Sequence, residues 1–168
     1  MFKYLSLFAF IAIIWSKNYN IMGTGLELNN IQDFEIIIEN LSNDAIALGL
    51  TTNHFEYIII NTLTENGTTS NTKKSSQKLY IDIEINNEKI GIEATRGLSY
   101  SILLSFKRPI QYTTNSKSYT KIVNTWTLKK NFLVMPENLL SVKKIISNEL
   151  IKLLDNFSSA LLRANNLK

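Results

Sequence analysis

Residues 78–86 read KLYIDIEIN, and this stretch decides the fold of the chain. Four large aliphatic side chains alternate along it with polar or amphipathic ones, at Leu79, Ile81, Ile83 and Ile85. Because successive side chains of a strand point to opposite faces, the pattern predicts a strand with one buried face and one wet face. A slip of one residue would expose all four aliphatic side chains, at a cost of roughly 6–12 kcal/mol. The register is therefore fixed.

Further strands are predicted downstream of this stretch. Asn86–Lys89 has the composition of a hairpin turn and is expected to lead into a strand that begins near Ile90. Two more strands are predicted over Ser99–Lys107 and Tyr119–Lys130, with a polar loop at Gln111–Ser118 between them. Pro109 should mark the end of the earlier strand or an edge position. The side chains expected on one face of these two strands are Tyr100, Ile102, Leu104, Phe106, Ile122, Trp126 and Leu128.

One strand and two helices complete the predicted elements. The β-branched residues at 36–38 favour a first strand over Asp33–Glu39, either central in the sheet or at an edge against a partner. Thr51 or Thr52 should cap a helix that runs to about Asn66, with Gly67 ending it. Residues 136–164 show apolar positions at spacings of three and four, which predicts a long amphipathic helix.

These elements predict an α+β fold in two layers. We expect four or five mostly antiparallel strands with both helices on one face, in the order β-α-β-β-β-β-α. The domain should span residues 33–166, preceded by an irregular lead-in over 17–32. A mature chain of about 150 residues fits one domain.

The first sixteen residues predict export. Lys3 precedes an apolar run over Leu5–Trp15, and polar residues follow it, as in a secretory signal peptide. The run is about half the length needed to cross a bilayer, so no stable transmembrane span is expected. The protein is therefore predicted to be periplasmic or secreted. The alternatives are membrane association through an uncleaved segment and a buried strand.

Composition excludes several classes of protein. The 168-residue chain has no cysteine, which rules out thiol catalysis, disulfide scaffolds and a lipidated cysteine. The hydrophobic fraction of 45% and the charged fraction of 19% are those of a globular protein. The net charge of +4 is spread over isolated pairs of basic residues, so no nucleic-acid partner is predicted.

No residue set predicts catalysis, cofactor binding or a metal site. His54 is the sole histidine of the sequence and is expected on the exposed side of its helix. Asp82 and Glu84 share one strand face at a spacing seen in sugar hydrolases, although any wet strand face can show such a pair. Glycosylation patterns begin at Asn40, Asn66 and Asn156; chance matches are expected in a chain this rich in Asn, Ser and Thr, and the patterns matter only if the host glycosylates exported proteins.

Aromatic residues suggest two kinds of binding surface. Trp126 and Tyr100 should reach the covered face of the sheet, where they either pack in the core or line an apolar ligand slot under the long helix. Tyr80, Tyr112 and Tyr119 are expected on the open face or its loops, where they could contact a protein partner.

The order of elements from Asp33 to Asn166 resembles a group of small exported bacterial domains. These are uncharacterised periplasmic proteins, the lipopolysaccharide-assembly outer-membrane lipoprotein, and the amino-terminal domain of the TolB translocation protein. The resemblance lies in the capped helix closed by Asn66-Gly67, in SILLSFKRPI at 101–110, and in Trp126 on the next strand. It implies an envelope protein but assigns no functional residue, and the chain departs from the lipoprotein in lacking a lipidated cysteine.

The sequence thus predicts a non-enzymatic exported module that binds another envelope protein. The alternative is a carrier of a small apolar ligand, held between the sheet and the last helix. A hydrolase using His54, Asp82 or Glu84 is the third hypothesis.

Overall fold

The computed structural model describes residues 19–22, 28–31, 33–68, 74–90, 95–134 and 139–166. Its elements are, in chain order, β1 (Tyr19–Met22), β2 (Glu35–Ile38), α1 (Asn43–Ala47), α2 (Thr52–Glu65), β3 (Lys78–Ile90), β4 (Thr95–Thr114), β5 (Lys117–Val134) and α3 (Leu139–Asn166). The predicted signal peptide lies outside the described residues.

The described strands form one five-stranded sheet in the order β1-β5-β4-β3-β2. β2 and β3 are parallel neighbours, while the other pairs are antiparallel. The parallel pair is joined through α1 and α2, because a parallel connection needs a crossover. The α+β class and the mostly antiparallel sheet are confirmed. β2 is at an edge of the sheet and not in its centre, so of its two predicted positions the edge is the one observed.

The core lies between the sheet and the helices. All four aliphatic side chains of the 78–86 stretch are at most 1% exposed, which confirms the register. Aromatic rings fill the middle of the core: Phe34 makes edge-to-face contacts with Phe106 and Phe157, at centroid distances of 5.8 and 5.6 Å. The predicted stripe of α3 is buried at Val142, Ile146, Leu150, Leu153, Phe157 and Leu161.

The predicted start and end of α2 are confirmed. The Thr51 side chain accepts a hydrogen bond from the amide of His54, 3.3 Å away, and so caps α2 as predicted. Gly67 has a φ of 69°, a conformation that glycine adopts without the steric cost of a Cβ. For α3, the predicted start at Pro136 lies outside the described residues.

Two predicted connections are wrong. Asn86–Lys89 is not a hairpin turn, because β3 continues to Ile90 and pairs with β4 throughout. The strand predicted from near Ile90 therefore does not exist as a separate element, and the order over the described residues is β-β-α-α-β-β-β-α. Gln111–Ser118 is not a loop either: β4 and β5 pair up to Thr114 and Lys117.

Two further expectations need correction. The lead-in over 17–32 is not irregular throughout, since Tyr19–Met22 pairs with β5. Ile122 does not face the core with Trp126 but is 63% exposed. The cause is a bulge: Phe106 pairs with Trp126 and Lys107 with Asn124, so Thr125 is an extra residue that disrupts the alternation along β5.

Candidate functional site

The feature of the described chain that departs most from a compact domain is a two-stranded extension of the sheet, which we call the arm. It consists of Lys107–Thr114 of β4 and Lys117–Val123 of β5. β3 begins opposite Lys107, so beyond that point the described neighbour of β4 is β5. At about 3.3 Å per residue, the seven further residues of β4 give an arm of about 23 Å. Pro109 lies in the arm at an edge of β4, which is one of the two positions predicted for it.

A tight turn closes the arm. Asn115 and Ser116 have φ values of 49° and 62°, the left-handed conformation at both central positions that two-residue hairpins favour. The hydroxyl groups of Thr113 and Ser118 lie 3.4 Å apart across the ribbon, and Tyr112 stacks on Tyr119 at a centroid distance of 5.6 Å. Local geometry and cross-strand pairs therefore hold the arm together.

Large apolar side chains of the arm lie in solvent. Ile110, Tyr112, Tyr119 and Ile122 are between 39% and 63% exposed. The ring stack places the two tyrosines on one face, while the register places Ile122 on the other, opposite Pro109. Every residue from Ile110 to Ile122 is exposed, so no part of this stretch contributes to the core.

The arm is also purely cationic. Residues 107–123 contain Lys107, Arg108, Lys117 and Lys121, and neither aspartate nor glutamate. The cations at its base contact the body: Lys107 lies 3.6 Å from the ring centroid of Tyr80, and Arg108 donates to the carbonyl of Asn29 at 3.1 Å. Lys117 and Lys121 are exposed along the distal part. Such a surface attracts anionic groups.

The open face of the sheet has a shallow cleft of about 350 Å³ lined by Asn86, Ser99, Tyr100, Ser101, Asn131, Phe132 and Leu133. The predicted pair Asp82 and Glu84 lies on this face, opposite Leu103 and Ser101 of β4. Asp82 is half-buried and Glu84 is exposed. Serine and asparagine side chains border the cleft, so it could form hydrogen bonds to a polar ligand.

His54 is not on an exposed surface, contrary to expectation. Its Nε2 lies 3.2 Å from the Oγ of Ser147 on α3, and the side chain is half-buried. The Ser147 hydroxyl donates to the carbonyl of Lys143 at 2.8 Å, so Nε2 is the donor toward Ser147. In this arrangement the histidine does not accept the serine proton, as a nucleophile-activating base would. Burial, and then the charge of Lys143, lower the pKa of His54.

Trp126 and Tyr100 are core residues. Trp126 is 3% exposed and packs on Phe157 at a centroid distance of 5.2 Å. Tyr100 is 2% exposed and stacks on Phe132 at 4.9 Å. The Tyr100 hydroxyl has no hydrogen-bond partner among the described residues, and burial raises its pKa to about 12. Of the two predicted roles, core packing is the one that the structure shows for these side chains.

A partly buried ion pair joins the sheet to α3. Lys130 of β5 contacts Glu149, and Lys152 contacts the other oxygen of the same carboxylate at 2.7 Å. Burial alone would raise the pKa of Glu149, but the hydrogen bonds and charges of Lys130 and Lys152 outweigh it and lower that pKa. This carboxylate is therefore held ionised by two lysines and serves the packing of the helix.

Over the described ranges, no three His, Cys, Asp or Glu residues cluster as metal ligands would. None of the helices in that part of the chain has an apolar stretch long enough to span a bilayer.

Sequence reasoning missed the arm because its composition is that of a loop. Two signals could have revealed it. Tyr112 and Tyr119 are symmetrically placed about Asn115-Ser116, and a two-residue turn between them puts the rings directly opposite each other. Ile110 and Tyr112 also alternate with polar residues, as in a strand.

No protein-family model matches the chain, and no curated protein does. Among solved structures, the chain has a distant likeness to the PelC L103M dodecamer from Paraburkholderia phytofirmans. The two are 14% identical with a TM-score of 0.38, and the match covers 86% of this chain and 95% of that one.

Proposed function

We propose that this chain is a non-enzymatic, exported assembly module that docks an acidic partner protein of the cell envelope through the arm. The observation that carries the proposal is a projecting ribbon that exposes Ile110, Tyr112, Tyr119 and Ile122 among four cations and no carboxylate. Export is supported by the apolar run over Leu5–Trp15.

The arm has the chemistry of a protein-binding surface. Interfaces combine an aromatic or aliphatic centre with a polar rim, and tyrosine and arginine are enriched in them. The ribbon also leaves both outer edges without a described neighbour beyond Lys107, so their backbone amides and carbonyls can pair with an added strand. Apolar contacts, strand addition and charge can therefore act together.

A two-stranded ribbon is marginally stable in water unless something packs against it. The body does not cover this one, because residues 110–122 are all exposed. A partner that covers the tyrosines would stabilise the ribbon and gain binding energy from the buried apolar area.

The other two hypotheses have weaker support. An apolar ligand under α3 would compete with Trp126, Phe157 and Phe106, which occupy the interior at 3% exposure or less. A hydrolase based on His54 would need a serine that offers its proton to the ring, and Ser147 donates elsewhere.

Site-specific photo-crosslinking in the native host tests the proposal. A photoreactive residue at Thr113, on the arm, should yield a crosslinked protein product. The same residue at Lys144, an exposed position on α3, should not. Reversing two charges of the arm, with Lys117→Glu and Lys121→Glu, should abolish the product because an acidic partner would then be repelled. A product that persists after the reversal, or none at Thr113, would contradict the proposal.

A further inference from the structure

Opposite charges are segregated into two segments of this chain. Residues 33–66 contain six carboxylates and neither lysine nor arginine, whereas residues 107–130 contain six lysines and arginines and neither aspartate nor glutamate. The first segment forms β2, α1 and α2, and the second forms the arm and the part of β5 that follows it. The two segments therefore carry formal charges of equal size and opposite sign.

The fold separates the amino-terminal half of the acidic segment from the arm. The Ser42 hydroxyl, at the start of α1, donates to the carbonyl of Ile85 at 3.0 Å, so α1 lies beside residue 85 of β3. The arm starts at Lys107, opposite Lys78. Seven residues of β3 separate these points, about 23 Å. The arm extends from Lys78 in the direction away from Ile85, so it cannot fold back onto α1 of its own chain.

Exposed apolar side chains accompany both charged segments. Ile46 on α1 is 59% exposed and Tyr57 on α2 is 69% exposed, close in sequence to the exposed carboxylates Glu39 and Glu56. We call these four residues the acidic end. Together with the four apolar residues of the arm, Ile46 and Tyr57 make up six of the eight large exposed hydrophobic side chains in the described part of the chain.

We propose that the arm docks on the acidic end of a second copy of this chain. The inference rests on the proposed function, because it identifies the acidic surface that the arm docks on as the acidic end of a second copy. Both residue sets combine exposed apolar side chains with exposed charges, and the charges are opposite, so the two sets are complementary in both respects. An anionic membrane would account for the arm, but a second copy accounts for the arm and for the acidic end.

The contact joins two different surfaces, the arm of one copy and the acidic end of another. It is either reciprocal, in a two-fold dimer where each arm lies on the other copy's acidic end, or head-to-tail. In the head-to-tail contact each copy donates one arm and accepts another. Such a contact repeats from copy to copy, and the rotation between copies determines whether the assembly closes.

Charge reversal at the two ends provides the test. Sedimentation velocity of the purified full chain at low salt should show reversible self-association that weakens near 1 M salt, where the Debye length falls to about 3 Å. Lys117→Glu with Lys121→Glu should weaken it about 100-fold or more, because it opposes like charges. Glu39→Lys with Glu56→Lys should have the same effect.

Mixing the two variants is the decisive measurement. In the mixture each reversed end meets an end of the opposite sign, so association should return as heterotypic complexes. A control with Lys74→Glu and Lys144→Glu has the same net charge as the arm variant but changes exposed lysines outside both surfaces, and it should associate as the unaltered chain does. Circular dichroism of each variant checks that it is folded.

Three results would overturn the inference: a wild-type chain that stays monomeric at every concentration tested, an association insensitive to both reversals, or a mixture that stays dissociated. None of them disproves the proposed function, which depends on the crosslink at Thr113. A product there that contains a different acidic protein, with a monomeric wild-type chain, would retain the proposed function and reject self-association.

Discussion

β4 and β5 each have two halves that differ in what covers them. In the body, Phe106 and Leu128 are fully buried beneath the helices. In the arm, the same two strands continue with Tyr112 and Tyr119 in solvent, 48% and 44% exposed. The hydrogen-bonded ladder is continuous, apart from one bulge, so backbone pairing is the same in both regions.

The difference separates stability from function. Burial of apolar area is the dominant favourable contribution to folding, and the body has it while the arm has little. Side chains of the body are therefore needed to fold the chain. Exposed apolar side chains on a ribbon contribute little to folding, and they are the ones that a partner can cover. Substitutions in the two regions should accordingly have separable effects.

The largest expected effect is that of Phe157→Ala. Phe157 is fully buried and contacts Phe34, Phe106 and Trp126, so its loss leaves a cavity in the centre of the core. We expect the free energy of unfolding in urea to fall by about 3–5 kcal/mol. Tyr112→Ala is the matched control in the arm and should change that free energy by less than about 1 kcal/mol. Equal losses for both variants would remove the distinction between the regions.

The next largest effect concerns the ion pair at the edge of the body. Glu149→Gln removes the charge that compensates Lys130, whose side chain is 15% exposed. We expect a loss of about 1–3 kcal/mol, whereas Glu56→Gln, at an exposed site, should change little.

The same pair predicts a pH dependence. The pKa of Glu149 is lower in the folded chain than in the unfolded one, so the unfolded chain binds more protons as the pH falls. The contribution of this group is present above the ordinary pKa of a glutamate, about 4.3, and is lost as the pH falls through the folded value. Urea titrations at several pH values should show this loss in the unaltered chain and a smaller one in Glu149→Gln.

Sequence predicts the body better than the arm because burial produces the patterns that sequence analysis detects. The alternation in 78–86 and the cap at Thr51 are local signals, and both are confirmed. The arm packs against no core, so its sequence does not need to alternate between buried apolar and exposed polar residues. Its polar composition therefore predicts a loop. The alternation along β5 predicts Ile122 on the core face, but one extra residue, Thr125, reverses the alternation, and no local sequence signal reveals this bulge.

Contacts between distant residues were also beyond prediction. His54 and Ser147 are 93 residues apart, and a helical pattern identifies the polar side of α2 without saying which element packs against it. Asn66 begins a glycosylation pattern, and its side-chain amide donates to a carboxylate oxygen of Asp155 on α3 at 2.8 Å. Both residues connect the two long helices.

A smaller and local effect is expected at the turn of the arm. Ser116→Val places a β-branched residue at a φ of 62°, which should destabilise the ribbon by about 1 kcal/mol. Hydrogen exchange of amides in 110–122 should then be faster, while the urea midpoint of the body stays unchanged. Ser116→Gly relieves the same strain and should slow exchange there. A shift of the global midpoint in either variant would show that the arm and body unfold as one unit.

The smallest expected effect is that of protonating His54, which lies between α2 and α3. Its pH dependence tests whether the contact between these helices contributes to the free energy of unfolding of the body. Its pKa is lowered by burial and by Lys143, so the unfolded chain binds the proton more readily than the folded one. The stability contributed by the neutral ring is full above the unfolded pKa of about 6.5 and falls as the pH drops through the folded value. Nε2 can still donate to Ser147 when the ring is charged, so the change should be below about 1 kcal/mol.

His54→Gln keeps an amide donor without a titrating group and should abolish this pH dependence between pH 7 and 5, measured by urea unfolding, while amide exchange in the arm is unaffected. If the dependence persists in His54→Gln, another group is responsible. If exchange in the arm changes with it, the two regions are coupled through α3.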